Sequence, residues 1–181
     1  MALIKDRKLA HDNWQLLKAA KGELPSIPAA CNVIVPLGAW QALRSELVVR
    51  GGGLGVWLSG DEEPADIAAD LQHFELVAVD FASFTDGRGY SIGRLLRERY
   101  GWRGELRAIG DVQRDQLFYL ARCGFDAFDL REGEDVETAL AAFNDFRDAY
   151  QASVDQLPLF RRRGLHPALR GSAESTAERA G

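Results

Sequence analysis

Cysteine and histidine are scarce in this chain, two and three respectively among 181 residues. Cys31 and Cys123 lie far apart and belong to no CxxC or Cys/His pattern, so the sequence writes neither a zinc site nor a redox dithiol. An iron–sulfur cluster takes four thiolate ligands, which two cysteines cannot supply. Both thiols are expected to be free and buried, packing as small hydrophobes. His11, His73 and His166 fall in different regions without metal-ligand spacing, and no Ser–His–Asp set can be nominated. No metal site is expected. Long apolar runs are missing too. Met1-Ala-Leu-Ile-Lys-Asp-Arg-Lys8 lacks the apolar stretch of a secretory signal and no segment approaches a membrane span, so a cytoplasmic protein with no membrane partner is expected. Nor is there a basic excess: 22 Lys+Arg against 27 Asp+Glu gives a net charge of −5. That balance argues against broad nucleic-acid binding, which needs a basic face to displace counterions.

What is present is an ordinary globular composition, 46% hydrophobic and 27% charged, on a length suited to one core. Five short apolar runs alternate with five stretches of helical period, the pattern of repeated β-α units. The runs are Val33–Leu37, Gly55–Ser59, Leu76–Phe81, Leu106–Gly110 and Phe125–Leu130. Helices are expected over about 39–50, from a cap at Asp61 to about Phe74, over about 92–100 with Gly101 as its stop, from a cap at Asp111 over about 112–122 with Gly124 at its end, and over about 136–151. The last would lay Leu140, Phe143, Phe146 and Tyr150 on the sheet. Short strand–helix–strand connections make neighbouring strands parallel with right-handed crossovers. The expected fold is therefore α/β, a mostly parallel five-stranded sheet in a three-layer sandwich, with a partial β/α barrel as the alternative. Residues 1–30 read as an N-terminal extension with a hairpin or short helix around Trp14. Residues 31–163 read as the α/β domain. From residue 164 to 181 the chain is small, polar and aperiodic, a disordered tail.

In parallel sheets and in barrels, ligands bind beyond the carboxyl ends of the strands. That rule selects two loops. In Asp80-Phe-Ala-Ser-Phe-Thr-Asp-Gly-Arg-Gly-Tyr-Ser91, Gly87 and Gly89 precede a helix start and can expose amides, with Ser83, Thr85, Asp86, Tyr90 and Ser91 as polar neighbours and Arg88 and Arg94 as charge for an anion or a partner. Asp80 ends a buried strand, where an acid can serve as base, ligand or anchor. In Gly110-Asp-Val-Gln-Arg-Asp-Gln116, Asp111, Arg114, Asp115 and Gln116 stand at the next strand's end, so Asp80 and Asp111 are the candidate catalytic pair facing one crevice. Helix capping by Asp111, loop anchoring by Asp80 and simple solvation of the arginines are the competing readings.

Two other motifs carry less. Gly51-Gly-Gly-Leu-Gly55 follows a helix and opens a strand, the reverse of a phosphate-binding loop, and reads as a helix stop and turn. Gln156, Leu157, Pro158, Leu159 and Phe160, followed by Arg161-Arg-Arg163, resemble the short peptide by which bacterial proteins dock on the DNA polymerase sliding clamp. The alternative is that the apolar side chains fold back on the core while the arginines stay wet.

The stretch Val79 to Tyr119 closely resembles an uncharacterised bacterial family. It contains Asp80-Phe-Ala-Ser-Phe-Thr-Asp-Gly-Arg-Gly-Tyr-Ser-Ile-Gly-Arg94 and Leu106-Arg-Ala-Ile-Gly-Asp-Val-Gln-Arg-Asp-Gln116, and the likeness continues through Arg122-Cys-Gly-Phe-Asp-Ala-Phe128. That family is a domain of unknown function labelled an oxidoreductase of sulfite reduction and encoded beside the sulfite reductase haemoprotein. The resemblance covers most of residues 30–163, including Tyr150-Gln151 and Leu159-Phe-Arg-Arg-Arg163, and departs at Ala82, where proline is expected. It implies a role in assimilatory sulfate and sulfite reduction but brings no catalytic residues.

No cofactor is assigned, because the chain lacks cysteine ligands, a haem motif and a dinucleotide fingerprint. Electron transfer would then depend on a bound flavin or a partner. The leading expectation is an accessory protein that binds sulfite reductase or its electron donor through the two loops. The alternative is an enzyme of the same pathway holding an oxyanion, flavin or nucleotide phosphate between Arg88, Arg94 and Arg114, with Asp80 or Asp111 moving the proton. A phosphate-binding module of unrelated role is a third.

Overall fold

The apolar runs become strands, and the short N-terminal segment joins them. The computed structural model describes residues 2–18 and 23–143. In chain order the elements are β1 Ala2–Lys5, β2 Lys8–Ala10, β3 Trp14–Leu16, β4 Asn32–Pro36, α1 Leu37–Val48, β5 Leu54–Leu58, a 3₁₀ helix Pro64–His73, β6 Leu76–Phe81, α2 Arg88–Glu98, β7 Glu105–Gly110, α3 Arg114–Arg122, β8 Ala127–Leu130 and α4 Val136–Ala142. Part of the expected last helix, with Phe146 and Tyr150, lies outside the described residues, as do the clamp-like peptide and the expected tail.

The sheet has eight strands in the order β2-β1-β8-β7-β6-β5-β4-β3. From β3 to β8 every pair is parallel, while β1 runs antiparallel to both β2 and β8. This replaces the five-stranded sandwich with a curled sheet, and the partial-barrel alternative fits. The reason is topological. Strands β3 to β8 are neighbours in sequence order, and right-handed crossovers between sequential neighbours put every helix on one face. A three-layer sandwich needs the strand order to reverse so that helices reach the second face.

Connectivity sets how far the sheet curls. β2 and β3 form its opposite edges, yet only His11, Asp12 and Asn13 separate them in sequence. Four extended residues span at most roughly 14 Å, whereas eight strands laid flat would hold their edges roughly 34 Å apart. The sheet therefore bends until its edges approach. Eight strands is also the number at which a closed barrel is just wide enough to be filled by its own side chains.

The two faces divide the core. Val33, Val35, Val56, Leu58, Val77, Val79, Leu106, Ala108 and Phe128 alternate onto the outer face, where the helices cover them. Ile34, Leu76, Ala78 and Ile109 point inward, packed by Trp14, Leu16 and Trp57. Cys123 is buried in the outer layer as expected, but Cys31 is only partly buried.

The second expected helix forms as a 3₁₀ helix. Pro64, Ile67 and Asp70 are its buried residues, a spacing of three that suits three residues per turn. Asp70 accepts the Trp40 indole N–H at 2.9 Å and pairs with Arg44, fixing this segment to α1. Asp61 does not cap it; Glu63 holds the cap position.

Arg97 ties the base of the outer layer together. Its guanidinium donates to the carbonyls of Gly124 (2.8 Å), Trp102 (2.9 Å) and Gly104 (2.8 Å) and to the Asp126 carboxylate (2.6 Å). Asp126 in turn accepts the Leu106 amide at 2.9 Å. Burial and the neighbouring charges oppose one another here: the Arg97 pKa is lowered by burial, and the Asp126 pKa is raised by burial. Removing the cation leaves a partly buried carboxylate and three carbonyls short of donors, so Arg97→Met should cost about 3–5 kcal/mol. Urea unfolding checks this; a loss below about 1 kcal/mol would show that solvent replaces the clamp.

Candidate functional site

Five charged side chains share the inward face with apolar ones: Asp80, Glu105, Arg107, Asp129 and Lys5. Asp80 lies between outward Val79 and Phe81, Arg107 between Leu106 and Ala108, Asp129 between Phe128 and Leu130, and Lys5 beyond outward Ile4. The register stacks them in layers. Arg107 aligns with Ala78 on one side and Ala127 on the other. One layer nearer the carboxyl ends, Asp80 aligns with Ile109, and continuing the β7–β8 register sets Asp129 on Ile109's far side, opposite Leu3 of β1. Asp80 and Asp129 thus flank Ile109 in a single row at the barrel mouth.

Arg107 is buried to 2% exposure and spends its guanidinium internally. It donates to Glu105 at 2.8 Å and to Asp12 at 2.9 Å, and Glu105 also takes Lys5 at 2.7 Å. Asp12 belongs to the link between the two sheet edges, so this ion pair crosses the interior and fastens the curl. Asp80 and Asp129 have no such partner among the described residues; both are half-buried. Burial pushes both carboxyls up from the ordinary range, opposed for Asp80 by Lys18 and for Asp129 by Arg107 and Lys18.

Outside the mouth, the loops after β5 to β8 form an acidic rim. Asp61, Glu62 and Glu63 follow β5, Asp86 follows β6, Asp111 follows β7, and Glu132, Glu134 and Asp135 follow β8. The arginines there are Arg88, Arg114 and Arg131. Arg88 pairs with Asp86 at 2.7 Å and with Asp61. That contact raises the Arg88 pKa and holds the Asp86 carboxyl down at about 2. Arg131 joins Asp111 (3.2 Å) to Glu134 (3.0 Å). Arg114 donates to Asp115 at 2.9 Å. Arg94 bonds Glu98 at 2.9 Å along the flank of α2.

The residues expected at the site are therefore only partly brought together. Asp80 faces inward at the mouth. The Asp111 carboxylate instead accepts the Phe84 amide (3.1 Å) and the Gln113 side chain (3.2 Å), tying the two loops to each other. It does not cap α3, because Gln113 and Gln116 form that helix's capping box. Ser83 and Thr85 bond each other at 3.2 Å, and Asp86 accepts the Arg88 amide at 3.1 Å, so the start of α2 is closed by its own loop. Gly89 serves packing: a Cβ there would meet the Phe81 ring at 2.6 Å. The Tyr90 ring packs edge-on against Phe81 (centroids 5.2 Å apart) and tilted against Tyr119 (5.0 Å), while Gly87, Ser91 and Asp115 are exposed. Phe84, at 45% exposure, stands out from the loop that Asp86 and Asp111 hold.

Arg107, Asp129, Glu105, Asp12, Lys18 and Arg131 were not among the residues expected at the site. A signal for the strand residues was present: Arg107 and Asp129 each interrupt an apolar run, and a charge inside a parallel strand needs a polar interior to receive it.

The family model for a bacterial protein of unknown function, DUF934, matches residues 55–160. The chain belongs to that family. The match begins at β5, so the acidic rim, Asp80, Arg107 and Asp129 fall inside it, whereas Asp12 and Lys18 precede it. No curated protein matches the chain. Among the described residues, no helix is long and apolar enough to cross a membrane, and no group of three or more His, Cys, Asp or Glu is placed to hold a metal ion.

The raised carboxyls give a stability prediction. A folded-state pKa above the unfolded one means that the native protein holds the proton more tightly, so the contribution is favourable at low pH and is lost as pH rises through the folded value. Asp129→Asn and Asp80→Asn should each raise Tm at neutral pH, with the advantage over the parent shrinking as pH falls through the carboxylate range. Thermal unfolding against pH reads this; a lower Tm at neutral pH for both variants would contradict it.

Proposed function

We propose that this DUF934 chain is an accessory protein of assimilatory sulfite reduction that docks, through its acidic rim, on a basic face of sulfite reductase or of its electron donor. The resemblance described from the sequence supplies the pathway. The observation that carries the docking role is the rim itself: among the described residues, eight loop carboxylates meet three arginines, each engaged with a carboxylate of this chain. An excess of one sign around an exposed aromatic is suited to steering and seating a protein of opposite charge. It disfavours sulfite, sulfate or a flavin phosphate, which the Arg88, Arg94 and Arg114 reading required.

Pull-down of the reductase and its donor by the full chain tests this, alongside growth of a deletion strain on sulfate, sulfite or sulfide. Capture that Asp61→Lys and Phe84→Ala each weaken about tenfold or more is expected, as is growth of the deletion strain on sulfide alone. Normal growth on all three sources would remove the pathway assignment. Capture unchanged in both variants would move the contact elsewhere.

A second reading, an enzyme of the same pathway, is favoured by Asp80. This half-buried carboxyl at the barrel mouth has no hydrogen-bond partner among the described residues and a raised pKa, which suits proton transfer. Complementation by Asp80→Asn distinguishes the two: the accessory role tolerates the variant, the enzymatic one does not.

A further inference from the structure

The docking role makes Phe84 the apolar anchor of the rim, and such an anchor has to be held in place. Ala82, Ser83, Phe84 and Thr85 are all exposed, so burial does not fix this stretch. Its own bonds are local: Ser83 to Thr85 at 3.2 Å, and the Asp86 amide to the Ser83 carbonyl at 2.9 Å. Among the described residues, the single hydrogen bond from these four to another loop runs from the Phe84 amide to the Asp111 carboxylate, at 3.1 Å.

That carboxylate is itself braced. The Asp111 amide donates to the Phe81 carbonyl at 2.7 Å, which seats the residue on the end of β6. Gly110 makes the turn at φ 95°, where a Cβ would meet the Phe81 carbonyl oxygen at 2.5 Å. Oδ1 accepts from Arg131 and from the Gln113 side chain, both at 3.2 Å, and Oδ2 is left for Phe84. Arg131 is anchored in turn on Glu134 at 3.0 Å and through its amide on the Val112 carbonyl at 3.0 Å. A chain of bonds thus runs from the loop after β8, through Asp111, to the backbone amide that carries the exposed ring.

We propose that Asp111 is a positioning residue for docking: backed by Arg131, it holds Phe84 in the pose in which the ring enters an apolar pocket of the partner bordered by lysine or arginine. This inference rests on the docking reading above. Ordering an exposed loop in advance reduces the entropy lost on association, so a residue away from the contact strengthens it. The carboxylate is spent on groups of its own chain and acts through Phe84.

Two measurements on the full chain test this. In amide exchange followed by NMR, Asp111→Leu should speed exchange at Phe84 about tenfold, as loss of a bond to a charged acceptor does. Glu132→Gln, which removes one exposed rim charge without touching that bond, should leave it unchanged. Arg131→Met, which withdraws the brace but not the carboxylate, should speed it less than Asp111→Leu does. In titration of the captured partner, Asp111→Leu should weaken binding about tenfold. Glu132→Gln, and Asp111→Asn, which keeps an acceptor oxygen for the Phe84 amide, should each weaken it only about twofold. Melting curves confirm that the variants fold. Unchanged exchange at Phe84 in Asp111→Leu overturns the proposal whether or not a partner is captured. So does an Asp111→Leu chain that binds as well as Glu132→Gln while Phe84→Ala is impaired, and that result leaves the docking reading standing. Capture indifferent to Phe84→Ala removes Phe84 as the docking anchor and this inference with it.

Discussion

The handedness of the β-α-β crossover is the constraint from which the rest of this structure follows. Because β3 to β8 succeed one another in space as they do in sequence, right-handed connections place every helix outside. The inner face receives no helix and has to be filled by the sheet's own side chains. Curling is the solution, and it requires a fastener where the edges approach. The Arg107–Asp12 pair provides one, reaching from a central strand to the link between the edges. An ion pair with one partner buried adds little net stability compared with apolar packing, but breaking it leaves the buried Arg107 short of a partner. Its value lies in selecting one curvature.

Burial of both sheet faces was readable from sequence, and what covers the inner one was not. Strands β4 to β8 and helices α1 to α3 are found within a few residues of where their apolar periods place them, α4 begins at Val136 as expected, and Gly124 does terminate α3 with φ 103°. The near-continuous apolar run from Leu76 to Val79 marks β6 as buried on both faces, but it does not tell a face covered by helices, where Val77 and Val79 lie, from one filled by the sheet's own side chains, where Ala78 lies. The N-terminal strands escaped for a different reason. β1 to β3 are three or four residues each, too short to show a period, and they exist because β8 and β4 offer them free edges. The hairpin or short helix expected around Trp14 is not found there, since Trp14 lies on β3, parallel to β4; a hairpin forms earlier, between β1 and β2. It is turned by Asp6 and Arg7, both at positive φ, where the usual Asn-Gly signal is missing.

The candidate site shows a similar limit. Placing chemistry at the carboxyl ends of strands located Asp80, the loop around Arg88 and Asp111 from sequence alone. What the one-dimensional order hides is how charges pair across loops. Asp61 and Arg88 are distant in sequence, as are Asp111 and Arg131, and once they meet, the arginines that looked available for an anion are spent on neighbouring carboxylates. Eight carboxylates spread over four loops look unremarkable along the chain and become a single acidic ring only when β5 to β8 are set side by side.

The antiparallel pairing of β1 with β8 has a consequence for how the molecule is made. Ile4 lies opposite Phe128, so β1 cannot find its place until β8, more than a hundred residues later in the chain, has been synthesised. The parallel β-α units can assemble on one another as they emerge, while β1 and its hairpin remain without their principal neighbour. Long-range pairings of this kind form slowly because the intervening chain must be closed first. Synthesis therefore delivers the parallel part of the sheet before the complete curled one, and the edge of β8 stays exposed to other strands until β1 returns to cover it.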